Sequence, residues 1–514
     1  MTPAERQVWN AYPSGAWIDL RSSDAEGNRA ANGAEWGSER QVRAEVIAAL
    51  LTGAREPDPG KIPGVRLAGA HIIGDLLLSD AEVRDKLHLL NCYLPGVVHL
   101  TDASTQGLRF RGCDIHRIRA ARSKIDGVFE LDGSTVRTGL RLDNAHITGQ
   151  LRLSRAFVSS PPPHKRATES AFEDMGHPYT EEDLKERFLG QQPWALWAGG
   201  LTVDGGAFMR GLRTEGGLRL IGATLNGGLY LQGAELRAAG DLALFGDFLE
   251  AKTAEFSANF KAEGGIRLRG ARIGGVLSFD RAELSAPTRS LHLSHMQVDE
   301  LIMMPKSIKG EVNLAYSRVG VLFDNPSSYP DRVHLNGTNY ESLRGTWTVA
   351  ERLDWVCRDP GGYRPHPYEQ LAAWYRRIGH EPDARRVMLA KQREHRATLR
   401  PTGRGWGRML DAVVGYGYRP WQAAVWAGVL LTIGTVVFGI HPPTQIDPDE
   451  KRTFSSFVYT LDLLVPVSLF EQRAAWEPAA GTQWLAWSLI ASGWILATAL
   501  IAGTARVLRP SNPP

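Results

Sequence analysis

Cysteine is scarce: there are three in 514 residues, and no C-x-x-C pair. That excludes a disulfide framework and fits a reducing compartment. Neither sign of charge dominates, with 59 Lys and Arg against 56 Asp and Glu, so the chain as a whole is not built to coat or mimic nucleic acid. The opening "MTPAERQVWNAYPSGAW" has no apolar run behind a basic segment, so no signal peptide is expected and the N-terminus is expected in the cytoplasm. The glycine runs "GGLRLIGATLNGG" and "GRGWG" lack the strand, G-x-G-x-x-G, helix order of a dinucleotide site. Haem, iron–sulfur, nucleophile-elbow and Walker spacings are missing too. His380-Glu381 begins an H-E-x-x-H motif, but Ala384 stands where the second histidine belongs. No catalytic, cofactor-binding or metal-binding residue, and no cofactor, is therefore expected.

Glycine is abundant at 54 residues, which suits a chain of many tight corners. Apolar pairs spaced i, i+2 begin at Val65, Leu76, Leu87, Val98, Leu108, Ile118, Phe129, Leu140 and Leu151, in steps of 10 or 11. Five residues after each stands a small one: Ala70, Ala81, Cys92, Ala103, Cys113, Ser123, Ser134, Ala145 and Ala156. Such a unit is a short strand followed by a corner, too small to bury its own apolar face. Stacked copies make a parallel β-helix solenoid, two units per coil of ~21–22 residues, with coils ~4.8 Å apart. The pattern resumes more loosely at Leu201, Leu218, Leu229, Leu242, Ile266, Leu277, Leu291, Leu301, Val312, Val321 and Val333. In two units per coil, Cys92 and Cys113 stack, and both are interior packing residues.

The alternating "L-x-L" and "[A/S/C]-x-[I/L/V]" faces resemble the pentapeptide-repeat-like, right-handed quadrilateral β-helix proteins. That resemblance implies a mainly β fold with a four-sided coil.

The repeat and its interruptions divide the chain. Residues 1–60 carry a capping helix at 38–53, "SERQVRAEVIAALLTG", opened by a Ser38–Gln41 capping box and blunting the edge of the first coil. The solenoid runs over 61–158. An insertion follows at 159–200, with a short helix in "YTEEDLKERFL" and Trp194 and Trp197 pinning it to the solenoid's side. A second tract covers 201–340. Residues 341–420 form a linker, a helical hairpin in which Tyr368, Leu371, Ala372 and Tyr375 face Ala384, Val387, Met388 and Lys391, and a basic elbow.

The C-terminal region, 421–514, reads as a membrane domain. Residues 421–440 and 484–505 are uncharged and reach the ~20 residues that a bilayer demands. Basic residues before the first and after the second, with an acidic loop between, place both termini in the cytoplasm of an inner-membrane, multi-pass protein. Between them, 454–470 reads as a re-entrant or interfacial segment. It contributes Asp462 and Pro466 as candidate intramembrane or pore residues, though no T-V-G-Y-G filter is present. The junction Gly415, Tyr416, Gly417, Tyr418, Arg419 and Trp421 reads as an interfacial elbow.

"PYEQLAAWYRRIGHEPDARRVMLAKQ", "GYGYRPW", "YTLDLLVPV" and "GWILATALIAG" resemble a family of bacterial, especially actinobacterial, membrane proteins often labelled "membrane-associated oxidoreductase". The resemblance implies a redox activity; the residues carry no motif for one. The expected function is a membrane-anchored cytoplasmic β-solenoid scaffold or sensor coupled to a small oligomeric pore, with the oxidoreductase as rival. Its expected partners are membrane lipid, further copies of itself and a cytoplasmic protein bound through the solenoid or hairpin, with no specific nucleic acid. Arg109, Arg111, Arg117, Arg119 and Arg122 lie at outward positions, a strip that a solvated face explains and that an anionic lipid or RNA could also use.

Overall fold

In the computed structural model, residues 1–160, 194–398, 421–447, 453–468 and 470–508 are described. The chain divides into two compact units, Met1–Gln370 and Leu371–Pro514.

The first unit is a parallel β-solenoid whose described strands form one 18-stranded and one 16-stranded sheet, here sheets A and B. Its interior is made of columns. In sheet A, Val65 stacks on Leu87, Leu108, Phe129, Leu151, Ala207 and Leu229 in successive rungs. In sheet B, Leu76 stacks on Val98, Ile118, Leu140, Leu196, Leu218 and Leu244. The regular repeat of the first tract alternates between these two columns, so one coil is two units. Cys92 and Cys113 stack accordingly: Asp114 pairs with Tyr93 one residue further on, and the Cys92 N–H points at Cys113 Sγ, 3.5 Å away.

The corner is set one residue before each small one. Asp80, Asn91, Asp102, Arg122, Asn144 and Arg155 all have left-handed backbones, with φ between 50° and 59°. Glycine takes the same place before Cys113 and Ser134, as Gly112 and Gly133. The small residue then turns inward: Ala70, Cys92, Ala103, Ser134 and Ala156 are all buried. Where it is polar, its group is satisfied between rungs. Ser134 Oγ donates to the Phe110 carbonyl at 2.7 Å and accepts from the Cys113 N–H at 2.9 Å, as buried hydroxyls must.

Three local expectations need correction. The helix expected over 38–53 is shorter, Ala44–Leu51, and is capped without a side chain. Gln41–Arg43 is instead a strand pairing with His71–Ile73, because the open edge of sheet B offers those residues a ladder. A second cap was overlooked: helix Pro3–Ala11, opened by a Thr2–Glu5 capping box with Pro3 at its start. The Thr2 hydroxyl donates to the Gln41 carbonyl at 2.9 Å, tying this helix to the edge. Finally, Trp194–Trp197 is a strand of sheet B, paired with Leu140–Arg141 and Gly217–Arg219. The Trp194 ring is fully buried and stacks on Phe245 at 6.1 Å. The helix expected in "YTEEDLKERFL" lies outside the described residues.

The far end is closed by helix Val349–Cys357, with its own Thr348–Glu351 capping box. Arg352 from that helix is buried against Asp324 at 2.6 Å and lies 3.8 Å from the Trp347 ring centroid.

In the second unit, Leu371, Ala372, Tyr375, Ala384, Val387 and Leu389 are buried; Leu389 takes the place expected of Met388. Helices Trp421–Ile440, Ser456–Leu464 and Gln483–Leu508 follow, with Phe438, Tyr459, Leu463 and Leu489 in a common cluster. The two expected transmembrane spans are overturned: among the described residues no helix is long and apolar enough to cross a membrane. The multi-pass inner-membrane placement and its orientation rested on those spans and fall with them. Large apolar side chains, Trp426, Ile433, Val436, Trp484 and Trp494 among them, are nonetheless exposed on these helices.

Candidate functional site

In sheet B the residue after each interior leucine or isoleucine lies on the outer side of the sheet, though Phe245 there is covered and only 7 % exposed. Arg119, Arg141, Trp197, Arg219, Phe245 and Arg267 occupy this position on successive rungs, ~4.8 Å apart. Guanidiniums meet rings along this line: Arg141 lies 5.7 Å from the Trp197 centroid and Arg267 lies 5.3 Å from that of Phe245. Such contacts are favourable because a ring face is negative.

Charge is not balanced here. Asp143 serves both Arg141 at 2.9 Å and Arg219 at 3.3 Å, and Asp247 serves Arg267 at 2.8 Å. Arg117 and Arg119 meet no carboxylate among the described residues. Among the described residues, these two carboxylates are the ones that pair with Arg141, Arg219 and Arg267, and Arg117 and Arg119 add two further guanidiniums to the face.

The surplus converges on a groove of about 480 Å³, lined by Arg117, Arg119, Arg122, Arg141, Thr138 and Trp197. Arg117 is aimed by its Nε, which donates to the Thr138 carbonyl at 2.9 Å and to Thr138 Oγ1 at 3.1 Å. Burial and the neighbouring Arg119 lower its pKa, yet a guanidinium stays charged across the physiological range. Arg122 is neutralised by a bidentate pair with Asp102, at 2.7 and 2.5 Å. A second pocket, about 540 Å³ and lined by Asp19, Arg21, Asn28 and Arg29, carries no such surplus. Its arginines are paired, Arg21 with Asp19 at 2.7 Å and Arg29 with Glu26 at 2.9 Å.

The basic strip expected from the sequence is thus divided. Arg117, Arg119 and Arg122 come together, whereas Arg109 and Arg111 lie on sheet A. There they converge on buried Glu130, at 3.6 and 2.5 Å. Arg141 and Trp197 were missed. The coil period was the available signal, since Arg141 is one coil after Arg119 and Trp197 stacks on Arg141 once the insertion is removed.

Asp462 is buried and accepts from the Ser468 hydroxyl at 2.8 Å and from the backbone N–H groups of Phe470 and Arg473 at 3.2 and 3.0 Å. It therefore anchors the turn after helix Ser456–Leu464. Pro466 lines an apolar cavity of about 350 Å³ with Gly428, Leu431, Leu464, Gly493 and Leu496. Of the expected elbow, Gly415, Tyr416, Gly417, Tyr418 and Arg419 lie outside the described residues, and Trp421 begins a helix. Cys357 Sγ lies 3.3 Å from the Tyr368 hydroxyl.

Two histidines on the solenoid are held neutral. Burial, with Arg109 and Arg66 nearby, pushes His88 down to about 4. Burial, with Arg289 and Arg267, pushes His292 down to about 3. Both folded values lie below the ordinary 6.5, so the unfolded chain takes up protons first as pH falls. Stability should be full above pH ~6.5 and should fall towards pH ~4 by a few kcal/mol. A denaturation series from pH 7 to 4.5 checks this; His292→Asn should flatten the slope.

No family model, no curated protein and no solved structure matches the chain.

Proposed function

We propose that the chain is a non-catalytic recognition scaffold, one of the bacterial β-solenoid proteins it resembles, that holds an anionic partner along the outer face of sheet B. The supporting observation is the ladder of arginine and aromatic side chains at rung spacing, with more guanidiniums than carboxylates along it. A stacked sheet fixes these groups without loop ordering, so little conformational entropy is lost on binding. Cationic side chains in a row favour a charged polymer, and rings between them add contact area that tolerates varied ligands.

The test is titration of the full-length protein with heparin, a generic polyanion. Binding should weaken about tenfold or more between ~50 mM and ~300 mM salt, as screened ionic contacts do. Arg119→Glu, at an exposed position, should weaken it further. No binding at the lower salt, or binding indifferent to salt and to Arg119→Glu, would refute the scaffold.

A further inference from the structure

The groove at the head of this ladder combines two features that a simple polyanion would not need together. Arg117 and Arg119 bring two guanidiniums that no described carboxylate neutralises, on one strand and two residues apart. On the same outer face stands Trp197, partly exposed and two rungs on from Arg119 through Arg141, or ~10 Å along the stack, with the Arg141 guanidinium over its ring at 5.7 Å from the centroid. Thr138 fixes the Arg117 side chain, its hydroxyl accepting from Arg117 Nε at 3.1 Å and donating to the His116 carbonyl at 2.9 Å. Gly139, at φ 101°, lines the groove there without a side chain.

We infer that this groove binds a nucleotide, its phosphate on Arg117 and Arg119 and its base against the Trp197 indole. Guanidinium forks match phosphate oxygens in shape and charge. A base offers a π face to an indole regardless of its identity. The groove's 480 Å³ falls in the range of small-molecule sites, about 300–1,000 Å³. An acidic peptide would use the arginines but leave Trp197 without a role. The inference rests on the recognition reading of sheet B and names the chemistry of its ligand. Free nucleotide and the nucleotides of a single strand share that chemistry.

The experiment is calorimetric titration of the full-length protein with ADP, with a ten-residue oligothymidylate and with polyglutamate, alongside heparin. Saturable binding of ADP, or of the oligothymidylate, is expected; the tighter of the two identifies the source. Arg119→Glu and Trp197→Leu should each weaken it about tenfold or more, a loss of ~1.4 kcal/mol or more, while Arg119→Lys retains most of it. Arg272→Glu removes the same charge from an exposed site on sheet A, where Arg272 pairs with Glu250 at 3.0 Å, and should bind as wild type. Arg119 is exposed, so its variants test the groove even if Trp197→Leu folds poorly. Heparin binding without either nucleotide ligand would overturn this assignment and leave the scaffold standing. Polyglutamate binding that Arg119→Glu abolishes, with no nucleotide binding, would make the occupant an acidic protein segment. Failure of every ligand, heparin included, would remove both readings.

Discussion

Deleting Ala207–Gly228 should leave a cooperatively folded solenoid, whereas deleting Ala207–Gly222 should not. Leu229 stacks directly on Ala207, so the first deletion removes one whole rung of 229 − 207 = 22 residues. Leu229 then takes the place of Ala207 on Leu151, and Leu244 takes that of Leu218 on Leu196. Each interior column closes up with an apolar residue, and the loss is roughly one rung's burial. The shorter deletion puts Ala223, the small residue after the Gly222 corner, where a strand residue belongs. The out-of-phase chain then turns its buried leucines, such as Leu225, away from their columns. A fully buried leucine contributes about 1.5–3 kcal/mol, so about five misplaced ones cost as much as the 5–15 kcal/mol that holds a typical domain together. Thermal melts of both variants check this. Equal behaviour would mean that the stacking of identical rungs does not govern stability.

Arg352→Leu should destabilise the first unit by about 3–5 kcal/mol, the usual cost of leaving a buried charge without its partner. The two groups are almost solvent-free, with side chains 3 % and 0 % exposed, and Arg352 donates to both Asp324 oxygens at 2.9 and 2.6 Å. Tyr329 adds a hydroxyl at 2.9 Å. Burial pushes the Asp324 carboxyl above its usual range, and Arg352 is the main group opposing that rise. Without it, the carboxylate must protonate or open the end of the solenoid. Combining Arg352→Leu with Asp324→Asn removes both charges and should recover part of the loss, since no ion is then stranded. Urea unfolding of the single and double variants measures both effects. A single variant within ~1 kcal/mol of wild type would show that this end is held by Trp347 and Trp355 instead.

Most of the solenoid was legible because its interior repeats in leucines, which only a buried face requires. The reading slipped where the backbone bulges or where residue type and conformation part company. Leu242 pairs with Gly265, and Leu244 holds the interior place on Ile266, because the register shifts between them. Val321 faces outward opposite Glu300, one residue before Leu322 in the column. Leu201 follows the Gly200 corner, and Ala207 holds the strand position. Phe248 and Tyr316 sit at corners with φ 57° and 60°, where a bulky side chain costs ~1–2 kcal/mol. Neither reads as a corner in sequence. Each is admitted because the next rung supplies glycine beneath the ring, Gly270 under Phe248 and Gly337 under Tyr316.

The candidate site was half legible. Three of its arginines stood out as a strip, but charge alone did not separate Arg109 and Arg111, which Glu130 neutralises across a rung. Trp197 was hidden by the interruption before it, since only register shows that it stacks on Arg141. In the second unit, hydropathy led the reading to two spans that the described helices do not support. The carboxylate of Asp462 is occupied by hydroxyl and amide donors of its own turn, a local role that composition does not reveal.

The central claim, that the outer face of sheet B around Arg119 and Trp197 is the recognition surface, is most directly tested by hydrogen exchange on the heparin-bound full-length protein. Protection should concentrate in Asp114–Arg119, in residues 138–143 and in Trp194–Trp197, with sheet A unchanged. Protection confined to sheet A, or a bound complex with unaltered exchange in these three segments, would contradict the account.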